Sequence, residues 1–317
     1  MSKSDPVKLS PAFKDYLWGG TRLKTEFNKK CDFDRVAESW ELSAHKDGKS
    51  EIANGLYKGF TLNDYLDELG KATLGTNSEK YDYFPLLIKL IDAKGDLSVQ
   101  VHPSDEYALA NEGEYGKTEM WYILDCIEGA SLYYGFSRNV TREEYENAIK
   151  DGRLTDILNQ VSVKRGDVFF IPAGTVHAIG SGILICEIQQ NSNTTYRVYD
   201  YNRLDKDGNR RPLHIDKAIE VSCLEKSPDL TVVPDDEDVL LVSCPYFSVR
   251  RLRVLGDGVF SVDRTSFISL IVTEGYGVLI HDDGELAFSK GDSIFIPAQE
   301  ANFRINGYCE VILSKVN

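Results

Sequence analysis

GDVFFIPAGTVH, Gly166 to His177, is the stretch on which the reading of this chain turns. Val168, Phe169, Phe170 and Ile171 form a run too short for a helix and rich in the β-branched and aromatic residues of strands. Proline has no backbone N–H and cannot extend a sheet ladder, so Pro172 ends the strand. Gly166 and Gly174 can take the positive φ values that turns require. The pattern therefore predicts a strand, a tight turn and a second strand. His177 falls early on that second strand, at a sheet rim, where a neutral imidazole can bind a metal.

Near the C-terminus, GDSIFIPAQEAN (Gly291 to Asn302) repeats the register. Gly291 and Pro297 stand where Gly166 and Pro172 stood, but Gln299 replaces Gly174 and Asn302 replaces His177. Neither a strand nor a turn requires a histidine, so the comparison marks His177 as a chemical residue, not an architectural one. The acidic, proline-containing segment from Lys226 to Val239 lies between the copies and places a domain boundary near residue 235. Residues 1–235 are expected to hold a first β-domain, with an N-terminal extension, that carries the ligand motif and closes as a barrel. Residues 236–317 are expected to form a smaller barrel lacking the ligand motif. HDDG, His281 to Gly284, reads as a hairpin turn with His281 exposed at its tip.

Other strands carry further candidates. Leu97, Val99 and Val101 alternate with Ser98, Gln100 and His102, so Gln100 and His102 share a face. An inward polar pair is costly without partners, and a metal is one such partner. Gly116 to Phe136 predicts two strands around Glu128 and Gly129, with Lys117, Glu119, Trp121 and Ile123 on one face. The Glu119 carboxylate needs a cation there, either Lys117 or a metal. From Gly182 onward, Ile183, Ile185, Glu187 and Gln189 share one face, with Leu184, Cys186 and Ile188 on the other. Arg197 and Arg203 follow among Tyr196, Tyr199 and Tyr201, an aromatic frame able to hold a guanidinium by stacking. Tyr145, Ile149, Leu154, Ile157 and Leu158 recur at helical spacing, and Thr141 with Glu144 makes a capping box, so a helical insert is expected near 141–160. Shorter helices are expected after Thr61 and from Asp216; His45 reads as a surface or structural residue and His214 as structural.

Barrel closure brings distant strands side by side, so His102, Glu119 and His177 can meet at one end of the interior. Two imidazoles and a carboxylate leave positions open on a divalent metal, as catalytic sites do. Gln100 can add a neutral oxygen.

Composition bounds the partners. The chain has 317 residues, 42% hydrophobic and 27% charged, with a formal charge of −14. That charge argues against nucleic acid or an anionic membrane as partner, while an anionic small molecule needs only a local convergence of Lys and Arg. The start lacks the apolar core of a secretory signal, and no run approaches the ~18 apolar residues of a membrane span, so a cytoplasmic protein is expected. Six scattered cysteines without a CxxC pair fit reduced, buried thiols.

SVQVHP, KTEMWYIL, PAGTVHAI and CEIQQNSNTTYRVYDYNR, with WGG, ESWELS and PLLIKLIDA nearer the N-terminus, resemble the type I mannose-6-phosphate isomerases in their short bacterial form, within the cupin superfamily. The resemblance spans essentially the whole chain. It implies a mainly β fold of two cupin-type (jelly-roll) β-barrels with a few added helices. It implies a zinc-dependent aldose–ketose isomerase that interconverts D-mannose 6-phosphate and D-fructose 6-phosphate by proton transfer through an enediolate. By the same resemblance Gln100, His102, Glu119 and His177 occupy the ligand positions of a single Zn2+, and Arg197 the position of the catalytic arginine. Lys117 and Glu187 are expected at the substrate, Glu187 also as a candidate base by strand parity. The large helical domain of longer members is missing, so no lid is carried over from it. A monomer or small homo-oligomer is expected. Two rival readings share the ligand set: a non-haem Fe(II) oxygenase, and a sugar-binding cupin without turnover.

Overall fold

The Val168–Ile171 strand forms one edge of a six-stranded antiparallel sheet. The order continues through Glu119–Cys126, Ile183–Gln190, Leu86–Ala93, Glu38–Leu42 and Ala12–Lys14. The structure is a computed structural model that describes residues 5–204, 208–228, 230, 233–282 and 284–317. Every residue of Leu86–Ala93 and of Ile183–Gln190 is buried, which a strand achieves only when both sheet faces are covered. On one face Ile91, Trp121, Ile123, Ile183 and Ile185 pack with Leu132, Tyr134 and Ile179 of a second layer. On the other, Ile88, Leu90, Met120, Tyr122, Cys186 and Ile188 pack with Phe247, Val249, Ile271, Phe295 and Ile312 from the C-terminal part. The parity expected for Ile183 to Gln189 is the one observed.

The second layer is a five-stranded antiparallel sheet, ordered Leu158–Ser162, Ser131–Phe136, His177–Ala178, Val99–Val101, Tyr196–Tyr199. The C-terminal part builds an eight-stranded sheet whose core, including Val254, Leu270, Val272, Phe288, Ile294, Phe303 and Ile305, comes entirely from its own strands, so the sheet curls around itself. The fold is mainly β, with the helices Arg22–Thr25, Leu62–Leu69, Asp105–Asn111, Arg142–Lys150 and Ile215–Val221 and three short 3-10 segments. Val7–Ser10 pairs with Ser293–Ile296, and Glu51–Ile52 pairs with Val7–Ser10, so strands from the N-terminal segment complete the C-terminal sheet. Residues 205–207, and residues 229, 231 and 232 within the expected boundary segment, lie outside the described residues.

Several local expectations shift. Thr61 and Asp64 form the reciprocal capping box before Leu62–Leu69. At Thr141 the box is half made: its Oγ1 accepts the Glu144 N–H at 3.1 Å, but the Glu144 carboxylate turns to Arg138. The helix stops at Lys150, followed by Gly152 at φ 69°, and Leu158–Ser162, expected to be helical, is an edge strand on Ser131–Phe136. His281 is half-buried with its ring 6.1 Å from that of Phe303 instead of exposed at a tip; Asp283 of the expected turn lies outside the described residues. All six cysteines are free, and Cys223 is exposed.

The two repeats share their backbone chemistry. Gly166 and Gly291 sit at φ 88° and 91°. Asp167 Oδ2 accepts the Lys164 N–H at 2.9 Å, and Asp292 Oδ2 the Ser289 N–H at 2.8 Å. Their surroundings differ: a Cβ on Gly166 meets nothing within 4 Å, whereas one on Gly291 would lie 2.2 Å from the Phe27 carbonyl oxygen. Urea unfolding is therefore expected to show Gly166→Ala destabilised by about 1–2 kcal/mol, the left-handed penalty alone. Gly291→Ala is expected to lose at least about 3 kcal/mol, because backbone must also move. Equal losses would contradict the close approach at Gly291.

Candidate metal centre and cleft

His177 pairs with Gln100 across the five-stranded sheet, and Arg197 pairs with Gln100 from the other side, so three adjacent strands present these side chains in one row. His102 follows the Val99–Val101 strand, two residues from Gln100. Glu119 opens its strand in the facing six-stranded sheet, between Ile171 and Gln189. The sandwich thus brings His102, Glu119 and His177 together, with their ligand atoms within 4.8 Å of one another and all three buried.

Glu119 Oε2 lies 3.6 Å from His102 Nε2, and Oε1 lies 3.4 Å from His177 Nε2. The Gln100 side-chain amide is 3.4 Å from His177 Nε2. His102 Nδ1 donates to the Thr194 carbonyl at 3.0 Å and His177 Nδ1 to the Thr175 carbonyl at 2.8 Å. These bonds fix the tautomers and leave both Nε2 lone pairs toward Glu119. Burial pushes both imidazoles down, His102 well below its ordinary value and His177 to about 4, so both are held in the neutral, ligating form. Neither Glu119 oxygen accepts a well-aligned hydrogen bond. Burial, then the charge of Glu187, raises its carboxyl to about 7. Two neutral imidazoles, an unsatisfied buried carboxylate and an amide fit a divalent metal that favours nitrogen and oxygen donors. Lys117 presses on this group: its Nζ is 2.9 Å from Glu119 Oε2 and 3.1 Å from His102 Nε2.

A cleft of about 370 Å³ opens beside the group, lined among others by Trp18, Lys89, Gln100, Lys117, Glu187 and Arg197. Glu187 Oε2 accepts from Trp121 Nε1 at 3.0 Å, while Oε1 lies 3.3 Å from Lys89 Nζ and accepts no hydrogen bond. Lys89 is buried between Glu187 and Glu38, the latter 3.7 Å away, with the Trp40 ring 5.0 Å from its ammonium. Burial acts to lower Lys89, but Glu38, Glu187 and Glu119 outweigh it and hold the ammonium above its ordinary range. Sequence reasoning missed Lys89; its signal was a lone lysine inside the apolar run PLLIKLIDA.

Arg197 is not held by the tyrosines. Its Nε donates to Ser98 Oγ at 3.3 Å and its Nη1 to the Pro212 carbonyl at 2.8 Å, which draw it toward the cleft. Arg203 is the guanidinium over a ring, 5.2 Å from the Tyr201 centroid. His45 is buried, not on the surface, because it accepts the Asp47 N–H at 3.1 Å and packs on Trp40. His214 accepts the Arg197 N–H at 3.2 Å.

Two family descriptions match the chain: phosphomannose isomerase type I, catalytic domain, over residues 7–125, and mannose-6-phosphate isomerase, cupin domain, over residues 237–316. Mannose-6-phosphate isomerase ManA of Bacillus subtilis (strain 168) is 43% identical, covering 98% of this chain and 99% of the relative. The mannose-6-phosphate isomerase of Streptococcus mutans is 38% identical, covering 99% of each. The crystal structure of the mannose 6-phosphate isomerase from Bacillus subtilis superposes with a TM-score of 0.90 at 39% identity, covering 98% of this chain and 99% of that one.

Removing the Lys89 ammonium takes the shared cation from two largely buried carboxylates. Lys89→Met is expected to lower the unfolding free energy by roughly 3–5 kcal/mol in urea titration; an unchanged midpoint would show that Glu38 and Glu187 do not depend on it.

Proposed function

This chain belongs to the type I mannose-6-phosphate isomerase family, and we propose that it interconverts D-mannose 6-phosphate and D-fructose 6-phosphate in this cleft, with Zn2+ as cofactor. The observation that carries the reading is the convergence of two Nε2 lone pairs on a buried carboxylate whose close cationic partner is Lys117, beside a cleft rich in cations.

The two sugars differ by the position of a carbonyl at C1 or C2. Interconversion removes a proton from one carbon and returns it to the neighbour, through an enediolate. His102, Glu119 and His177 would hold the Zn2+, with Gln100 as a further donor through its amide oxygen, and the ion would supply Lewis acidity to the sugar oxygens. Glu187 takes up and returns the proton at Oε1. Burial opposes its charge, but Lys117, Lys89 and the Trp121 hydrogen bond hold its carboxyl below the ordinary range, so it is ionised and ready to act as a base. Lys89 and Lys117 bring positive charge to the side of the cleft where the oxyanion develops. Arg197 meets the substrate from the Gln100 row.

No helix among the described residues is long and apolar enough to cross a membrane. With a charge of −14, the reading places the chain in the cytoplasm as a monomer or small homo-oligomer acting on a phosphosugar, without nucleic-acid or membrane partners.

A coupled assay for fructose 6-phosphate formation is expected to lose its signal on chelation and regain it with added zinc; full turnover in metal-depleted protein would overturn the mechanism. Arg197→Ala is expected to lower kcat/KM by roughly 10²–10³-fold with bound zinc intact, and normal turnover would remove Arg197 from the site. Oxygen uptake without isomerisation would favour the oxygenase reading.

A further inference from the structure

The mouth of the cleft carries an arginine group that the metal centre does not use. Arg197 and Arg211 both line the cleft. Arg203 and Arg211 line a neighbouring cavity of about 260 Å³, and Tyr16 and Trp18 wall both spaces. Asp200, itself buried, ties the group together: Arg211 donates to it through Nε at 2.8 Å and Nη2 at 2.5 Å, and Arg203 through Nη2 at 2.5 Å. Two guanidinium groups share one carboxylate and that of Arg197 lies beside them, an excess of positive charge on a chain whose net charge is −14. Asp15 and Arg35, further along the second cavity, carry opposite charges.

The three arginines are not equivalent. Arg203 is committed elsewhere, bonded to the Asp96 carbonyl and resting over Tyr201. Arg197 and Arg211 each keep a terminal nitrogen without a hydrogen bond among the described residues, Nη2 of Arg197 and Nη1 of Arg211. The segment after Arg211 runs beside Arg197, which bonds the Pro212 carbonyl, donates its N–H to His214 Nδ1 and accepts the His214 N–H at its carbonyl. After burial, the like charge of Arg211 is the main influence lowering Arg197 below its usual range. A dianion between the two guanidinium groups would relieve that repulsion and accept from both free terminal nitrogens, while the Asp200 fork keeps the Arg211 plane fixed.

We propose that Arg211, positioned by Asp200, joins Arg197 in reading the 6-phosphate of the substrate, and so sets the preference for phosphorylated over free hexoses. The proposal rests on the isomerase reading above. It assigns two parts of the cleft different work: Arg197 and Arg211 hold the non-reacting phosphate equally in ground and transition state, while C1 and C2 react beside the metal group. Arg211 is in this sense a specificity residue that touches substrate but not the reacting carbons.

Steady-state kinetics of the zinc-loaded full chain on D-mannose 6-phosphate and on D-mannose, together with calorimetric titration of inorganic phosphate, test the assignment. In Arg211→Gln, KM for mannose 6-phosphate is expected to rise roughly 10–100-fold with kcat little changed, and phosphate binding to weaken by a similar factor. Turnover of unphosphorylated mannose is expected to stay at the wild-type level. Arg211→Lys, which keeps the charge but not the fork, is expected to recover part of the phosphate affinity. A residue that only supported the loop would affect both sugars alike, so an equal loss on both would overturn the proposal. Unchanged KM and phosphate affinity in Arg211→Gln would overturn it too. Absence of isomerisation in the wild type would instead count against the isomerase reading. The phosphate titration of wild type against Arg211→Gln would still decide whether Arg211 reads a phosphate.

Discussion

The carboxylate of Glu119 is buried, accepts no well-aligned hydrogen bond, and faces two neutral imidazoles. Removing a carboxylate from water costs several kcal/mol unless a positive charge replaces the lost solvation. Much of the surrounding architecture answers that requirement. Lys117, just before the Glu119–Cys126 strand, and Lys89, on Leu86–Ala93, bring cations, the Thr175 and Thr194 carbonyls turn the imidazole lone pairs inward, and the donor set that results suits a divalent metal.

The six-stranded sheet makes this affordable because its period of two separates chemistry from packing. Lys89, Glu119, Glu187 and Gln189 alternate with Leu90, Met120, Cys186 and Ile188. In the polar set Lys89 and Glu187 line the cleft, Glu119 faces the two imidazoles and Gln189 bonds the Gln190 and Ser192 carbonyls, while the apolar set faces the C-terminal sheet. A one-residue slip would exchange the two faces, so the register is held by both at once. The C-terminal part therefore serves the site without supplying a ligand: it covers the far face of the sheet, and Glu310 accepts the Tyr122 hydroxyl at 3.1 Å across the joint.

What the sequence disclosed was local or periodic. The strand and turn of Gly166 to His177, its altered copy at Gly291, the shared face of Gln100 and His102, and the parity of Ile183 to Gln189 all follow from spacing within a few residues. What stayed hidden depends on distant pairings. Lys89 reads as an oddity in an apolar strand until Glu38 and Glu187 are seen beside it. Val7–Ser10 gives no local sign that it will join the C-terminal sheet. The spacing of Leu154, Ile157 and Leu158 suits a helix, yet Gly152 had already ended it and the edge of Ser131–Phe136 offered a strand partner. Arg197 and Arg203 look alike among their tyrosines, and only the Ser98 and Pro212 acceptors direct the first to the cleft.

The repeat supplies its own control for the claim that His177 belongs to the chemistry and not to the fold. His177→Asn places in the first motif the residue that stands at position 302 in the second, where its Oδ1 accepts the Ser261 hydroxyl at 2.8 Å. Zinc content of wild type and variant after identical loading and dialysis is the direct measurement. The account predicts about one zinc per wild-type chain and close to none in the variant, with the metal-free proteins unfolding at similar urea concentrations. A variant that keeps its zinc as tightly as the wild type would contradict it.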